Sequence, residues 1–194
     1  DLRTSRGLGD VYKRQIARGA GASENENLEE LTYEGYGPGG VAILCETLTD
    51  NKNRTVAEVR HGFSKFGCSM GTSGSVAYLF ERTGIISFPE NFSEEEIMDH
   101  ALNAGAQDIL GAENGGIDVM TSLENFGAVQ DALKAAGIIS VSAEMTMLAS
   151  TEIDINLKDA EKLLDLIDHL EELDDVQNVF SNANISAEII AKLQ

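Results

Sequence analysis

The chain has 194 residues, room for one domain or two small ones. Its residues are 42% hydrophobic, enough for a packed core, which argues against disorder throughout. Asp and Glu number 33 against 14 Lys and Arg, and the net charge of −19 disfavours nonspecific nucleic-acid binding, because phosphates demand clustered positive charge.

The first fifteen residues, DLRTSRGLGDVYKRQ, differ in character from the rest. They carry Arg3, Arg6, Lys13 and Arg14 against Asp1 and Asp10, with no helical or alternating period. Asp10 to Gln15 can be encoded by GAT GTG TAT AAG AGA CAG, the transposase mosaic end of sequencing libraries, and Ser5 to Gly9 fit the adjoining adaptor. Residues 1–15 are therefore expected to be adaptor-derived and are set aside from the fold. Residues 16–32 then read as the end of a truncated helical domain, Ile16 to Ala22, and a polar linker from Ser23.

Tyr33 to Gly40 reads as a Gly-rich turn before an apolar strand, Val41 to Thr49. Thr55 and Glu58 have capping-box spacing, and Val56, Val59, Phe63 and Phe66 recur on one helical face closed by Gly67. Ser75 to Glu81 alternates like a strand, and Ile85 to Phe88 is a short one. Ser93 and Glu96 open a helix with Ile97, Ala101 and Leu102 inward. Strands Gln107 to Leu110 and Ile117 to Thr121 flank a hairpin turn at residues 113–116. Ser122 then caps a helix closed by Gly137, and a strand lies within Ile138 to Leu148. Glu152 to Ile155 is a strand, Asn156 caps a helix through Leu173, Val176 to Phe180 is the last strand, and an amphipathic tail follows.

The order predicts an α/β (α+β) protein with two ferredoxin-like β-α-β-β-α-β domains, one inserted in the other. The expected boundaries are 33–82 with 150–184 for the discontinuous domain, 83–149 for the inserted one, and 185–194 for the tail.

The run Gly35-Tyr36-Gly37-Pro38-Gly39-Gly40 matches GxGxxG. A strand follows it instead of a helix, and Pro38 removes an amide, so it does not read as a dinucleotide site. It fits a tight turn, or an exposed loop in which Tyr36, Gly37, Pro38 and Gly39 meet a partner. Lys52, Arg54, Arg60 and Lys65 form a modest basic strip, either a solvated helix face or a phosphate contact. Glu171, Glu172, Asp174 and Asp175 read as a solvated acidic face, with a partner surface as the alternative. His61, His100 and His169 sit on separate helices without metal-ligand spacing, and Cys45 and Cys68 form no CxxC pair. No catalytic constellation, metal site or cofactor site is expected. No apolar run approaches the roughly 20 residues of a membrane span, and no signal peptide is visible, so a cytoplasmic protein is expected.

Long strings carry a resemblance. Tyr33-Glu34-Gly35-Tyr36-Gly37-Pro38-Gly39-Gly40-Val41-Ala42, residues 49–61, residues 74–81 and residues 174–179 resemble the YebC/PmpR family. The resemblance implies a probable bacterial transcriptional regulator that binds DNA. It equally brings in translation, because the family's mitochondrial relative activates translation of a cytochrome oxidase subunit, and some bacterial members are linked to ribosomes stalled on proline-rich peptides. It implies two α/β domains after a basic N-terminal helical domain, which is expected to be missing here and to make most of the contact with DNA, RNA or the ribosome. A homo-oligomer and, by fold analogy, a metabolite-sensing module are the other readings.

Overall fold

The computed structural model describes residues 27–112 and 115–193. Of these, residues 27–78 and 152–193 form one compact unit, and Leu79–Thr151 form a second, inserted in the chain of the first. The segment expected to be adaptor-derived, residues 16–26 of the expected helical remnant and linker, and residues 113 and 114 of the expected hairpin turn lie outside the described residues. Both units are α+β.

The first unit is built on a four-stranded antiparallel sheet in the order β3-β1-β2-β9. Its strands are β1 (Glu29–Tyr36), β2 (Ala42–Thr49), β3 (Ser69–Met70) and β9 (Val176–Ser181). Helices α1 (Lys52–Lys65) and α4 (Leu157–Glu171) cover it. Val41, Ile43 and Cys45 meet Val59 and Phe63 of α1 and Ala160, Leu163, Leu166, Ile167 and Leu170 of α4 in one core. The short strands β8 (Ile153–Asp154) and β10 (Ala183–Asn184) pair in parallel, and α5 (Ala187–Leu193) closes the chain.

The second unit runs β4 (Phe80–Phe88), α2 (Glu94–Asn103), β5 (Asp108–Gly111), β6 (Ile117–Ser122), α3 (Phe126–Ala135) and β7 (Ser142–Ala149). Its sheet order, β5-β6-β4-β7, is the antiparallel arrangement of the ferredoxin-like fold. Ile86, Phe88, Ile97, Val119, Val129 and Leu133 fill its core. Gly84 is small because a Cβ there would collide with the Phe126 ring.

The first unit has a similar sheet but a different chain order. Its inner strand β1 precedes β2 in a hairpin, where a β-α-β-β-α-β chain would supply that strand after β3. Two sequence expectations are corrected here. Residues 29–36, expected as linker and turn, are a full strand; the inward acid Glu34 disguises it. Ser75 to Glu81, expected as a strand, is a loop and a 3-10 turn (Ala77–Leu79) that leads into β4, so Phe80 to Phe88 is one strand. The loop amides are captured by Glu34 and cannot join a ladder.

Helix ends follow their sequence signals in most places. Ser93 and Glu96 form a reciprocal capping box, and Asn156 Oδ1 accepts the Asp159 amide at 3.0 Å. At α1, however, the cap is Asn51, whose Oδ1 accepts the Arg54 amide at 3.1 Å; Thr55 is an interior residue. The α3 cap is likewise Asn125, with no side-chain bond, although Ser122 Oγ accepts the Asn125 amide. Gly67, at φ 65°, ends α1, and the Cys68 amide donates back to the Phe63 carbonyl at 2.8 Å.

Candidate nucleic-acid interface

The four cations of the expected strip all lie on α1, and they divide into two kinds. Lys52 Nζ is 2.7 Å from Glu29 Oε2 on β1, and this bond raises the lysine pKa. Arg54 holds Asp175 through Nε at 3.3 Å and Nη2 at 2.9 Å, and Nη2 also donates to Asp50 at 2.8 Å. Asp175 is buried and accepts further bonds from Thr49 Oγ1 at 3.1 Å and Thr55 Oγ1 at 2.7 Å. Burial alone would raise its pKa, but the bonds from Thr55, Arg54 and Thr49 outweigh it and hold the carboxyl below its usual range. This overturns the reading of Asp175 as part of a solvated face: it ties the start of α1 to the start of β9. Arg60 and Lys65 are exposed, with no carboxylate within ion-pair distance among the described residues.

The Gly-rich loop is equally particular. Gly35 lies against the Phe63 ring, where a Cβ would sit 2.5 Å from Cε1 and 2.8 Å from the Ser69 carbonyl oxygen. Pro38 is buried, and Gly39 and Gly40 adopt φ of 70° and 79°, which L side chains resist. Tyr36 is half-exposed, and its hydroxyl donates to the Ser75 carbonyl at 3.2 Å. That bond brings in a second loop, residues 71–78, which sequence reasoning did not single out. Its organiser is Glu34, a buried carboxylate that accepts the amides of Gly74, Val76 and Ala77 at 2.6, 2.7 and 2.7 Å. Burial raises the Glu34 pKa, but these three amides together lower it below the ordinary value. The paired loops expose Tyr36 and Tyr78, and residues 33–41 and 69–78 contain no Lys or Arg.

The sequence did not single out Lys162, and it set His169 aside as a lone helix histidine. Both lie on the side of α4 that meets α1, a placement visible only once the helices are paired. Among the described residues no group of three or more His, Cys, Asp or Glu could hold a metal ion. No helix there is long and apolar enough to cross a membrane.

The described residues make up two α+β units, and comparison with known proteins gives the class. Residues 28–183 match the family described as the TACO1/YebC second and third domain, and the chain belongs to that family. A probable transcriptional regulatory protein of Idiomarina loihiensis is 55% identical over 184 residues, spanning 95% of this chain and 74% of that protein. One from Methylococcus capsulatus is also 55% identical over 184 residues, with the same coverage of each chain. The crystal structure of a conserved hypothetical protein, Aq1575, from Aquifex aeolicus aligns with a TM-score of 0.74 at 42% identity, covering 92% of this chain and 74% of that one. The family is one of probable transcriptional regulators, and the chain shares its fold.

Proposed function

We propose that the protein regulates gene expression in the cytoplasm by binding DNA and catalyses no reaction. The observation that supports this is the 55% identity, across 95% of the chain, to proteins named as probable transcriptional regulators. The charge distribution refines it. Lys52 is paired with Glu29 at the surface and Arg54 with Asp175, so of the α1 cations Arg60 and Lys65 are the unpaired ones a duplex could use. These units then contribute orientation, and most phosphate contact falls to the basic domain that the family resemblance implies ahead of them.

The test is a mobility-shift titration against salt on a promoter duplex, with this chain alone and with a relative's first domain joined to it. Each phosphate neutralised adds about −0.9 to the slope of log affinity against log salt. The joined protein is expected to show a steep slope and the chain alone one no steeper than about −2. Failure of both to shift any duplex at low salt overturns the reading.

A second reading, contact with the ribosome, is favoured by the paired loops. A surface with two tyrosines, open glycine backbone and no cations suits RNA bases or protein better than duplex phosphates. Co-sedimentation with ribosomes after DNase treatment, abolished by Tyr36→Ala with Tyr78→Ala, is its expected outcome.

A further inference from the structure

Helices α1 and α4 pack antiparallel, and the seam between them is electrically polarised. The antiparallel sense follows from two contacts. Arg54, early in α1, reaches Asp175 beyond the end of α4, whereas Gly67, past the end of α1, lies beside Lys162 in the middle of α4. Near Arg54 the seam opens into a shallow cavity lined by Arg54, Glu58, Glu172, Leu173 and Asp174, where carboxylates prevail. At the other end Lys162 Nζ comes within 3.4 Å of where a Gly67 Cβ would stand. Lys65 Nζ lies 5.4 Å from the centre of the Phe66 ring, and Phe66 meets His169 with ring centres 5.6 Å apart and planes tilted by 57°.

We infer that the Lys65–Phe66–Lys162–His169 end of this seam binds a segment of single-stranded nucleic acid, with Lys65 and Lys162 on its phosphates and a base against the Phe66 and His169 rings. Two exposed lysines flank two half-buried rings, the combination of cation and stacking surface that single strands use. Among the described residues, neither lysine has a carboxylate within ion-pair distance. Charges of both signs reach the His169 ring: burial lowers its pKa most, Lys65 and His61 lower it further, and Glu172 opposes them. Lysines near a helix C-terminus also offset its dipole, but that role asks for no rings beside them. A duplex suits the patch poorly, because its bases are stacked away from the rings and two cations are few against its charge density. The inference goes beyond the duplex reading and does not rest on it.

The test is fluorescence anisotropy of the whole chain at low salt. The probes are a labelled mixed-sequence oligoribonucleotide, its deoxy counterpart, a hairpin duplex and a polyglutamate peptide. Either single strand is expected to bind more tightly than the duplex, and the ratio between the two tells which sugar is preferred. Lys65→Glu with Lys162→Glu is expected to weaken binding about tenfold or more. Lys162→Gln should reduce the salt slope by about 0.7. Phe66→Leu, which keeps an apolar side chain against the core, should weaken binding without a large change in melting temperature. Lys134→Glu, an exposed charge reversal on α3 of the other unit, should leave binding as it was. The inference is overturned if the folded double variant binds like the parent or if Lys134→Glu weakens binding equally. It is also overturned if the duplex or polyglutamate binds as tightly as the single strands, or if no oligonucleotide binds at all. A chain that binds single strands but shifts no promoter duplex keeps the patch and loses only the duplex reading.

Discussion

Arg54 Nη2 stands 2.9 Å from Asp175 Oδ2, across 121 residues of sequence, and this contact separates the basic strip into structural and available charges. Arg54→Glu would set a second carboxylate against the buried Asp175. It is expected to lower the melting temperature clearly, whereas Arg60→Glu, at an exposed position, should leave stability within about 0.5 kcal/mol of the parent and the melting temperature nearly unchanged. Equal melting temperatures for the two variants would remove the Arg54–Asp175 contact from the account of stability.

Asp175 and Glu34 also set an acid limit. Both carboxyls are held below their ordinary range in the folded protein. A depressed folded pKa contributes stability that is complete above the unfolded value, about 4 for these side chains. That stability drains away as pH falls through the folded values. The contribution of these two carboxyls is therefore expected to be flat across neutral pH and to decline below about pH 4, while the lowered His169 pKa adds a separate loss as pH falls through the histidine range near 6.5. Asp175→Asn should cost about 1–3 kcal/mol at neutral pH by weakening the Arg54, Thr49 and Thr55 bonds. It should also decline less on acidification, because one of the two titrating groups is gone. Chemical denaturation at a series of pH values reads both effects, and parallel curves for parent and variant would sink the assignment.

Glu34 and the loop it holds make a separate case. One oxygen accepts from Gly74, the other from Val76 and Ala77. Glu34→Gln replaces one acceptor with an NH₂ that faces backbone donors, so at least one bond is lost and a donor is set against a donor. The amides of Gly74, Val76 and Ala77 are expected to exchange with deuterium faster than in the parent, while the amides of β4 stay protected. Unchanged exchange at those three positions would mean that the loop is held by something else.

What could be read from the sequence, and what could not, divides by distance along the chain. Helix faces and caps depend on neighbours three or four residues away, so Ser93 with Glu96, Asn156 and the Val59–Phe63 face were legible. The order of elements in the inserted unit was legible for the same reason. The strand β1 was not, because its buried acid has partners 40 and more residues away and looks like surface until they are known. The alternation from Ser75 to Glu81 imitated a strand, but its donors were already committed to that acid. Arg54 looked like a free cation for the same reason: Asp175 is invisible to local spacing. Of the run expected as a turn, only Pro38–Gly40 turn while Tyr36 ends β1, and the second loop emerged only through the Tyr36–Ser75 bond.

Two glycines of that loop should respond to substitution for opposite reasons. Gly35 lies in β1 opposite Met70, and a Cβ there would meet the Phe63 ring at 2.5 Å and the Ser69 carbonyl at 2.8 Å. The obstacle is space, and overpacking of this kind costs about 1–3 kcal/mol. Gly40 has nothing within 4 Å of its Cβ position but holds φ at 79°, so the obstacle there is the backbone. Gly40→Ala should cost about 1–2 kcal/mol and Gly40→Asn less, because Asn tolerates the left-handed region. At Gly35 the order is reversed: Asn is larger and should be worse than Ala. Phe63→Leu, which shortens the obstructing ring, should relieve part of the Gly35→Ala penalty, so the double variant should cost less than the sum of the singles. Melting curves of the six variants decide it. Additive costs for Gly35→Ala and Phe63→Leu would show that the ring does not limit Gly35, and a benign Gly40→Ala would show that the loop can relax to negative φ.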